Sequence, residues 1–154
     1  MTQEEKQLLL KDLCARLPYG VKLKYVEDLV VKKESHTITL NNIYLEHIIN
    51  GDTDIKPYLR PLSSMTEEEA EQIIKFICGD SIGINKINIR QDHITAKVDY
   101  LIGDSETVTV WFDDIMQSIE IFDFLNAHHF DYRGLIPMGL ALEAPEGMYN
   151  NKIK

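Results

Sequence analysis

Ile94-Thr95-Ala96-Lys97-Val98-Asp99-Tyr100, followed by Gly103-Asp104-Ser105 and then Thr107-Val108-Thr109-Val110-Trp111-Phe112, is the stretch that decides the fold. In both runs the aliphatic residues fall on alternate positions. Each run therefore has one greasy side and one polar side, the pattern of a half-buried strand. The Gly-Asp-Ser step between them is turn chemistry. A second turn at Gln91-Asp92 separates the first run from Ile84, Ile87 and Ile89. Connections this short join antiparallel neighbours, so residues 84–112 predict a three-stranded meander.

Helices are predicted on both sides of it. Upstream, Thr66-x-x-Glu69 is a capping box, and Glu67, Glu68 and Glu69 sit at the positive end of the helix dipole. Ala70, Ile73, Ile74 and Ile77 form the buried stripe, and Gly79 ends the helix. Downstream, a third helix is expected to start at Asp114, with Gln117 completing its cap. Ile115, Ile119, Phe122 and Leu125-Asn126 make one stripe, and Ile121 and Phe124 widen it, which requires burial on more than one side.

The amino-terminal part opens on a further capping box, Thr2-x-x-Glu5. Leu10, Leu13, Cys14 and Leu17 then follow at one-face spacing until Pro18 and Gly20 stop the helix. Val21, Leu23 and Tyr25 alternate with Lys22 and Lys24, and Leu29-Val30-Val31 makes a second short run. Ile38 and Leu40 make another; Asn41-Asn42 turns, Ile43-Tyr44-Leu45 resumes a strand, and Asn50-Gly51-Asp52 closes the region. Pro57 and Pro61 impose an extended path that suits neither a helix nor a central strand. The expected fold is α+β: short antiparallel strands in two groups with three helices, each strand group preceded by a helix. The expected domains are residues 1–62, a helix with a small β subdomain, and 63–154, the helix, meander, helix and irregular tail.

With 154 residues, 44% hydrophobic and 27% charged, the composition is that of a soluble globular domain. No apolar run approaches a membrane span, and the polar, acidic start is not a secretory signal, so a cytoplasmic protein is expected. Cys14 and Cys78 are expected as buried free thiols in helices. The formal charge of −9 excludes a general nucleic-acid binder, whose affinity rests on phosphate contacts. From Asp104 to Gly147 there are nine acids (Asp104, Glu106, Asp113, Asp114, Glu120, Asp123, Asp131, Glu143, Glu146) and one base, Arg133. Lys22, Lys24, Lys32 and Lys33 are read as solvating the outer side of a strand pair.

Chemistry-bearing residues concentrate near the end, in His128-His129-Phe130-Asp131-Tyr132-Arg133-Gly134. His128, His129 and Asp131 are candidates for acid–base or metal chemistry. The structural reading of the imidazoles is that they cap the last carbonyls of the third helix. Arg133 is a candidate for a carboxylate or phosphate ligand, or else pairs with Asp131 or Glu143. Tyr132 stands beside it. Gly134 to Gly139 has phosphate-loop glycine spacing, but Leu140 and Ala141 stand where Lys and Ser or Thr are required. Asp92-His93 is a possible dyad at a turn, where Asp is already expected. Tyr58, Arg60 and Trp111 are the aromatic and arginine candidates for an interface, and Trp111 is expected to be covered by the tail or the N-terminal strands. No residue is assigned as catalytic, and no cofactor or metal is implied.

Three runs, Leu13 to Val21, Lys56 to Glu69 (KPYLRPLSSMTEEE) and Leu125 to Tyr149 (with HHFDYRGLIPMGLALEAPEGMY), resemble an uncharacterised family of small proteins of gut Bacteroidetes and their prophages. The resemblance implies a phage or mobile-element setting and brings no activity, fold or catalytic residue. The expectation from the whole sequence is a non-enzymatic accessory protein with a protein partner. The expected binding residues are Tyr58, Arg60, His128, His129, Asp131, Tyr132 and Arg133. The alternatives are a small metal-assisted hydrolase using His128, His129 and Asp131, and an acidic mimic of DNA.

Overall fold

The computed structural model describes residues 1–28, 33–50, 55–112 and 118–149. The expectations placed on Leu29-Val30-Val31, on Gly51-Asp52 and on the helix start from Asp114 to Gln117 lie outside the described residues. The fold is α+β, with four α-helices and two sheets among the described residues, of four and three strands. Two units make up the chain: Met1–Arg60 together with Asn126–Lys154, and Pro61–Leu125. The tail was expected with the second half; it is part of the first unit, because its apolar residues complete that unit's core.

In the first unit, α1 (Gln3–Arg16) carries the expected Thr2–Glu5 capping box. A 3-10 turn at Leu17–Tyr19 follows, and Gly20 adopts φ +67, a left-handed conformation that favours glycine. Strand β1 (Lys22–Asp28) pairs antiparallel with β2 (Lys33–Thr39), Leu23 opposite Ile38. Residues 42–49 depart from expectation. Asn42–Ile49 is a helix, α2, and the predicted strand at Ile43-Tyr44-Leu45 is absent. The cause is Asn41, whose side chain accepts hydrogen bonds from the amides of Ile43 (3.0 Å) and Tyr44 (3.2 Å). It is a helix cap where a turn was expected. The chain then forms β3 (Ile55–Leu59), which pairs antiparallel with β1, and β7 (Leu142–Glu143), which pairs parallel with β3. The sheet order is β2-β1-β3-β7, so one pairing is not antiparallel. Pro57 lies in β3, against the expectation that proline would exclude an interior strand. Only Tyr58 and Leu59 pair with β7, so the flank of Pro57 on that side is open, as at an edge.

The core of this unit joins Leu9 and Leu13 of α1, Val21 and Leu23 of β1, Ile48 of α2 and Ile55 and Leu59 of β3 to Leu135, Leu140 and Ala141 of the tail. The buried face of α1 differs from the predicted stripe: it consists of Leu9, Asp12, Leu13 and Arg16. Cys14 is exposed and Cys78 half-buried, so neither thiol is deeply buried. A charged pair displaced Cys14 from the inward face.

In the second unit, α3 (Glu67–Cys78) has the predicted Thr66–Glu69 capping box and buries Ala70, Ile73 and Ile74, while Ile77 stays exposed. The meander is present as β4 (Ile82–Ile89), β5 (His93–Tyr100) and β6 (Ser105–Trp111), in that order and antiparallel throughout. Ile94, Ala96, Val98, Val110 and Phe112 point to the buried side. Helix α4 (Ile119–Ala127) runs out of this unit; Ile121, Phe124 and Leu125 are buried, but Ile119, expected in the stripe, is exposed. No helix among the described residues is long and apolar enough to cross a membrane.

Candidate functional site

The candidate residues His128 to Arg133 lie on irregular chain after α4, and the structure shows what each one meets. At the base of the segment is a buried charge cluster. Asp12 and Arg16, one helical turn apart on α1, are both fully buried. Arg16 donates from Nε to Asp12 Oδ2 (2.7 Å) and from Nη2 to Asp12 Oδ1 (3.0 Å), the two-pronged geometry that favours arginine. The same Nη2 donates to the carbonyl of Phe130 (2.7 Å). Arg133 brings a second guanidinium to the same carboxylate, its Nε 3.2 Å from Asp12 Oδ1. The acid that meets Arg133 is thus on α1; Asp131, one of the two partners expected for it, is committed elsewhere. Tyr132 lies against both guanidiniums, 5.4 Å from Arg16 and 4.9 Å from Arg133, and its hydroxyl donates to Asn126 Oδ1 (2.9 Å). Burial raises the Tyr132 phenol above its ordinary value.

Asp131 closes a local turn. Its two oxygens accept the amides of Leu135 and Ile136, each at 2.8 Å. Burial pushes the carboxyl above the usual range, against the pull of those two amides. The arrangement is that of a capping carboxylate holding irregular backbone. His129 has φ +59, a left-handed conformation unusual outside glycine and asparagine. Its amide bonds to the Asn126 carbonyl (3.1 Å), so the helix end is closed by the histidine's backbone, where its imidazole had been expected to serve. The ring is buried and stacks on Tyr149, centroids 4.0 Å apart. The Tyr149 hydroxyl donates to the Tyr58 carbonyl and accepts from the Lys22 amide, both at 2.8 Å. Arg60 and Phe130 form a parallel bridge: Arg60 N donates to His129 O (2.8 Å) and Asp131 N to Arg60 O (2.7 Å). The Arg60 guanidinium also covers the Phe130 ring at 4.2 Å. His128 sits beside Phe130, ring centroids 6.4 Å apart.

The structure therefore brings Tyr58, Arg60, His129, Asp131, Tyr132 and Arg133 together as a strap fastened to β1, β3 and α1. It does not converge His128, His129 and Asp131 on one point. Among the described residues no three His, Cys, Asp or Glu side chains are grouped so as to hold a metal ion. One cleft in this unit, of about 250 Å³, is lined by Met1, Glu5, Leu9, Lys56, Met138 and Leu140, and by none of the candidates. Sequence reasoning missed Asp12 and Arg16. Their i, i+4 spacing was the available signal, but that spacing ordinarily marks a solvated pair.

Burial, with the positive charges of Arg16, His128, Arg60 and Lys22 adding to it, lowers the His129 imidazole to about 3. The folded state keeps this ring neutral, while the unfolded chain protonates it near 6.5. Stability from this residue is complete above pH 6.5 and is lost as pH falls from there toward 3, because the unfolded state then binds the extra proton. By pH 5 the loss amounts to ~2 kcal/mol. His129→Asn tolerates the left-handed backbone and removes the titration. Urea unfolding of this variant at pH 5 and pH 7.5 should therefore show a difference ~2 kcal/mol smaller than that of the parent chain. Equal pH dependence in the two proteins would mean that the ring is not buried neutral.

In the second unit, Asp92 Oδ1 and His93 Nδ1 are 2.7 Å apart, and the imidazole lies 4.5 Å from the Trp111 ring. Trp111 is 46% exposed, so it is not covered as expected. With Asp92 in solvent and the imidazole against indole, the pair forms a surface cluster on the meander. No protein-family model, curated protein or solved structure matches this chain.

Proposed function

We propose that this chain is a non-enzymatic interaction protein, an accessory factor of a prophage or other mobile element that works in the cytoplasm through a protein partner. The observation that carries this reading is the engagement of Asp131: both carboxylate oxygens accept backbone amides of the same strap. Each oxygen keeps a second lone pair, but the two amides fix the carboxylate on the strap's own backbone, which is a structural use of the acid. His129 is buried and stacked against Tyr149. On this reading the polar residues that suggested hydrolysis serve the fold. Meanwhile the second unit leaves large apolar side chains in solvent, with Leu101 and Ile102 both 85% exposed. Apolar side chains that gather into one exposed patch mark an interaction surface.

The test is co-purification of the tagged chain from a host carrying the corresponding prophage, paired with light scattering of the isolated protein. One stoichiometric protein partner that survives 0.3 M salt is the expected result. A strictly monomeric chain that retains no partner would overturn the reading. A transition metal retained after metal-free purification, and lost in the His129→Asn variant, would overturn it in favour of the hydrolase. A partner that is itself a nucleic-acid-binding protein and is released by moderate salt would replace it with the DNA-mimic reading, which rests on the formal charge of −9.

A further inference from the structure

The hairpin joining β5 to β6 is a well-bonded turn that ends in two exposed aliphatic side chains. The Tyr100 amide donates to the Asp104 carbonyl (2.8 Å) and the Gly103 amide to the Tyr100 carbonyl (3.0 Å). Gly103 supplies the left-handed φ of +92 that the turn needs. Side chains lock the base: Ser105 Oγ donates to Asp99 Oδ1 and Asn85 Nδ2 to Asp99 Oδ2, both at 2.6 Å, and the Tyr100 hydroxyl donates to Glu106. A loop built to collapse would bury Leu101 and Ile102. This one holds both 85% exposed on a pre-formed turn, which lowers the ordering entropy that association must overcome.

The same end of the second unit carries more exposed apolar surface. Ile82, just after α3, pairs with Tyr100, and Cys78 at the end of α3 lies near enough to the Tyr100 hydroxyl to influence its charge state. The carboxyl end of α3 therefore lies beside the hairpin, and there Phe76 is 42% and Ile77 51% exposed. The Phe76 ring is fixed edge-on to Phe124 at 6.0 Å. Charge selects what can cover this patch. The acids around it, Asp80, Asp99, Asp104 and Glu106, outnumber the bases there, of which Lys97 is exposed on β5 opposite Asn85 and Thr107. Lys75, the neighbouring base on α3, is bridged to Glu71 at 2.6 Å. Two copies meeting here would bring like charges together, and an anionic lipid surface would be repelled.

We infer that the tip Leu101-Ile102, together with Phe76 and Ile77, docks a basic amphipathic helix of a partner protein, its leucine-type face against the four apolar side chains and its lysines or arginines against the acidic rim. This rests on the interaction reading above and names its surface and partner chemistry. Helix-in-groove recognition uses this combination of apolar anchors and complementary charge.

The probe is a synthetic helical peptide of leucine and lysine in amphipathic order, with a leucine–glutamate peptide of the same pattern and zwitterionic lipid vesicles as competitors. Binding is read by fluorescence anisotropy, and its location by amide hydrogen exchange of the full chain. The expected result is leucine–lysine binding with protection confined to residues 76–82 and 99–106. The Leu101→Ser/Ile102→Ser variant, which alters only exposed side chains and leaves the turn bonds in place, should weaken binding at least ~tenfold. Unchanged affinity in that variant, protection spread over other acidic surfaces, or a preference for the glutamate peptide or the vesicles would each overturn the inference. The two readings fail separately: a native partner that co-purifies equally with parent and Leu101→Ser/Ile102→Ser chains sinks this surface and leaves the interaction function standing.

Discussion

Asp12→Ala should cost the first unit ~3–5 kcal/mol and leave it unfolded or close to it under mild denaturant. Asp12 is the shared counter-ion of two guanidiniums. Removing its carboxylate leaves Arg16, fully buried, without the two oxygens that take its Nε and Nη2, and Arg133 without the oxygen 3.2 Å from its Nε. Desolvated charge without a partner is among the few single changes that destabilise a domain by this much. The carbonyl of Phe130 would remain as an acceptor for Arg16, which moderates the loss without cancelling it. The measurement is urea unfolding combined with amide hydrogen exchange. Faster exchange at Leu23, Ile48 and Leu59, the inner residues of that unit's core, should accompany the loss. A companion variant separates charge from volume. Asp12→Leu with Arg16→Met and Arg133→Met should recover much of the stability, because apolar replacement of a whole buried charge cluster is often neutral. If Asp12→Ala shifts stability by less than 1 kcal/mol, the carboxylate is not the hub of this cluster.

The importance of Asp12 and Arg16 was the part least legible in the sequence. An acid and an arginine four apart on a helix normally lie in solvent. Only the return of the tail, with Phe130, Tyr132 and Arg133 laid over them, makes them interior. A pattern taken over ten or fifteen residues cannot register a contact that far along the chain. The elements that were legible draw on local rules. The Thr2–Glu5 and Thr66–Glu69 boxes satisfy amides within one turn, and the alternation from Ile94 to Phe112 needs no partner beyond its own hairpins. Asn41 shows how two local rules compete, since the same side chain serves a turn or caps a helix. The capping outcome goes with burial of Ile48, one turn beyond Tyr44 and Leu45, in the core that also holds Leu9 and Leu13 of α1. The candidate residues from His128 to Arg133 were found by their chemistry, but their use was hidden for the same reason as the helix charges. Their distant partners are Asp12, Arg16 and Arg60, all in the other half of the sequence, and His129 rests on Tyr149, which is itself bonded to Lys22 and Tyr58.

Phe130→Ala tests that hidden use directly, and its expected cost is ~3–5 kcal/mol. The ring is fully buried and lies under the Arg60 guanidinium, so truncation leaves a void and removes the apolar face on which that cation rests. The backbone bonds from Arg60 to His129 and from Asp131 to Arg60 do not depend on the side chain and would remain available. Alone, however, they cannot keep water from the Arg16–Asp12 pair. Tyr149→Phe offers a calibrated comparison. It deletes one hydroxyl bonded to the Tyr58 carbonyl and the Lys22 amide, and should cost only ~1–2 kcal/mol. Limited proteolysis gives the readout specific to the strap. In Phe130→Ala, cleavage between residues 128 and 149 should precede global unfolding, whereas in Tyr149→Phe the two should stay coupled. If Phe130→Ala is no worse than Tyr149→Phe and its tail resists protease, the segment is not fastened through that ring. The polar groups around it would then be available for the ligand chemistry that their present engagement argues against.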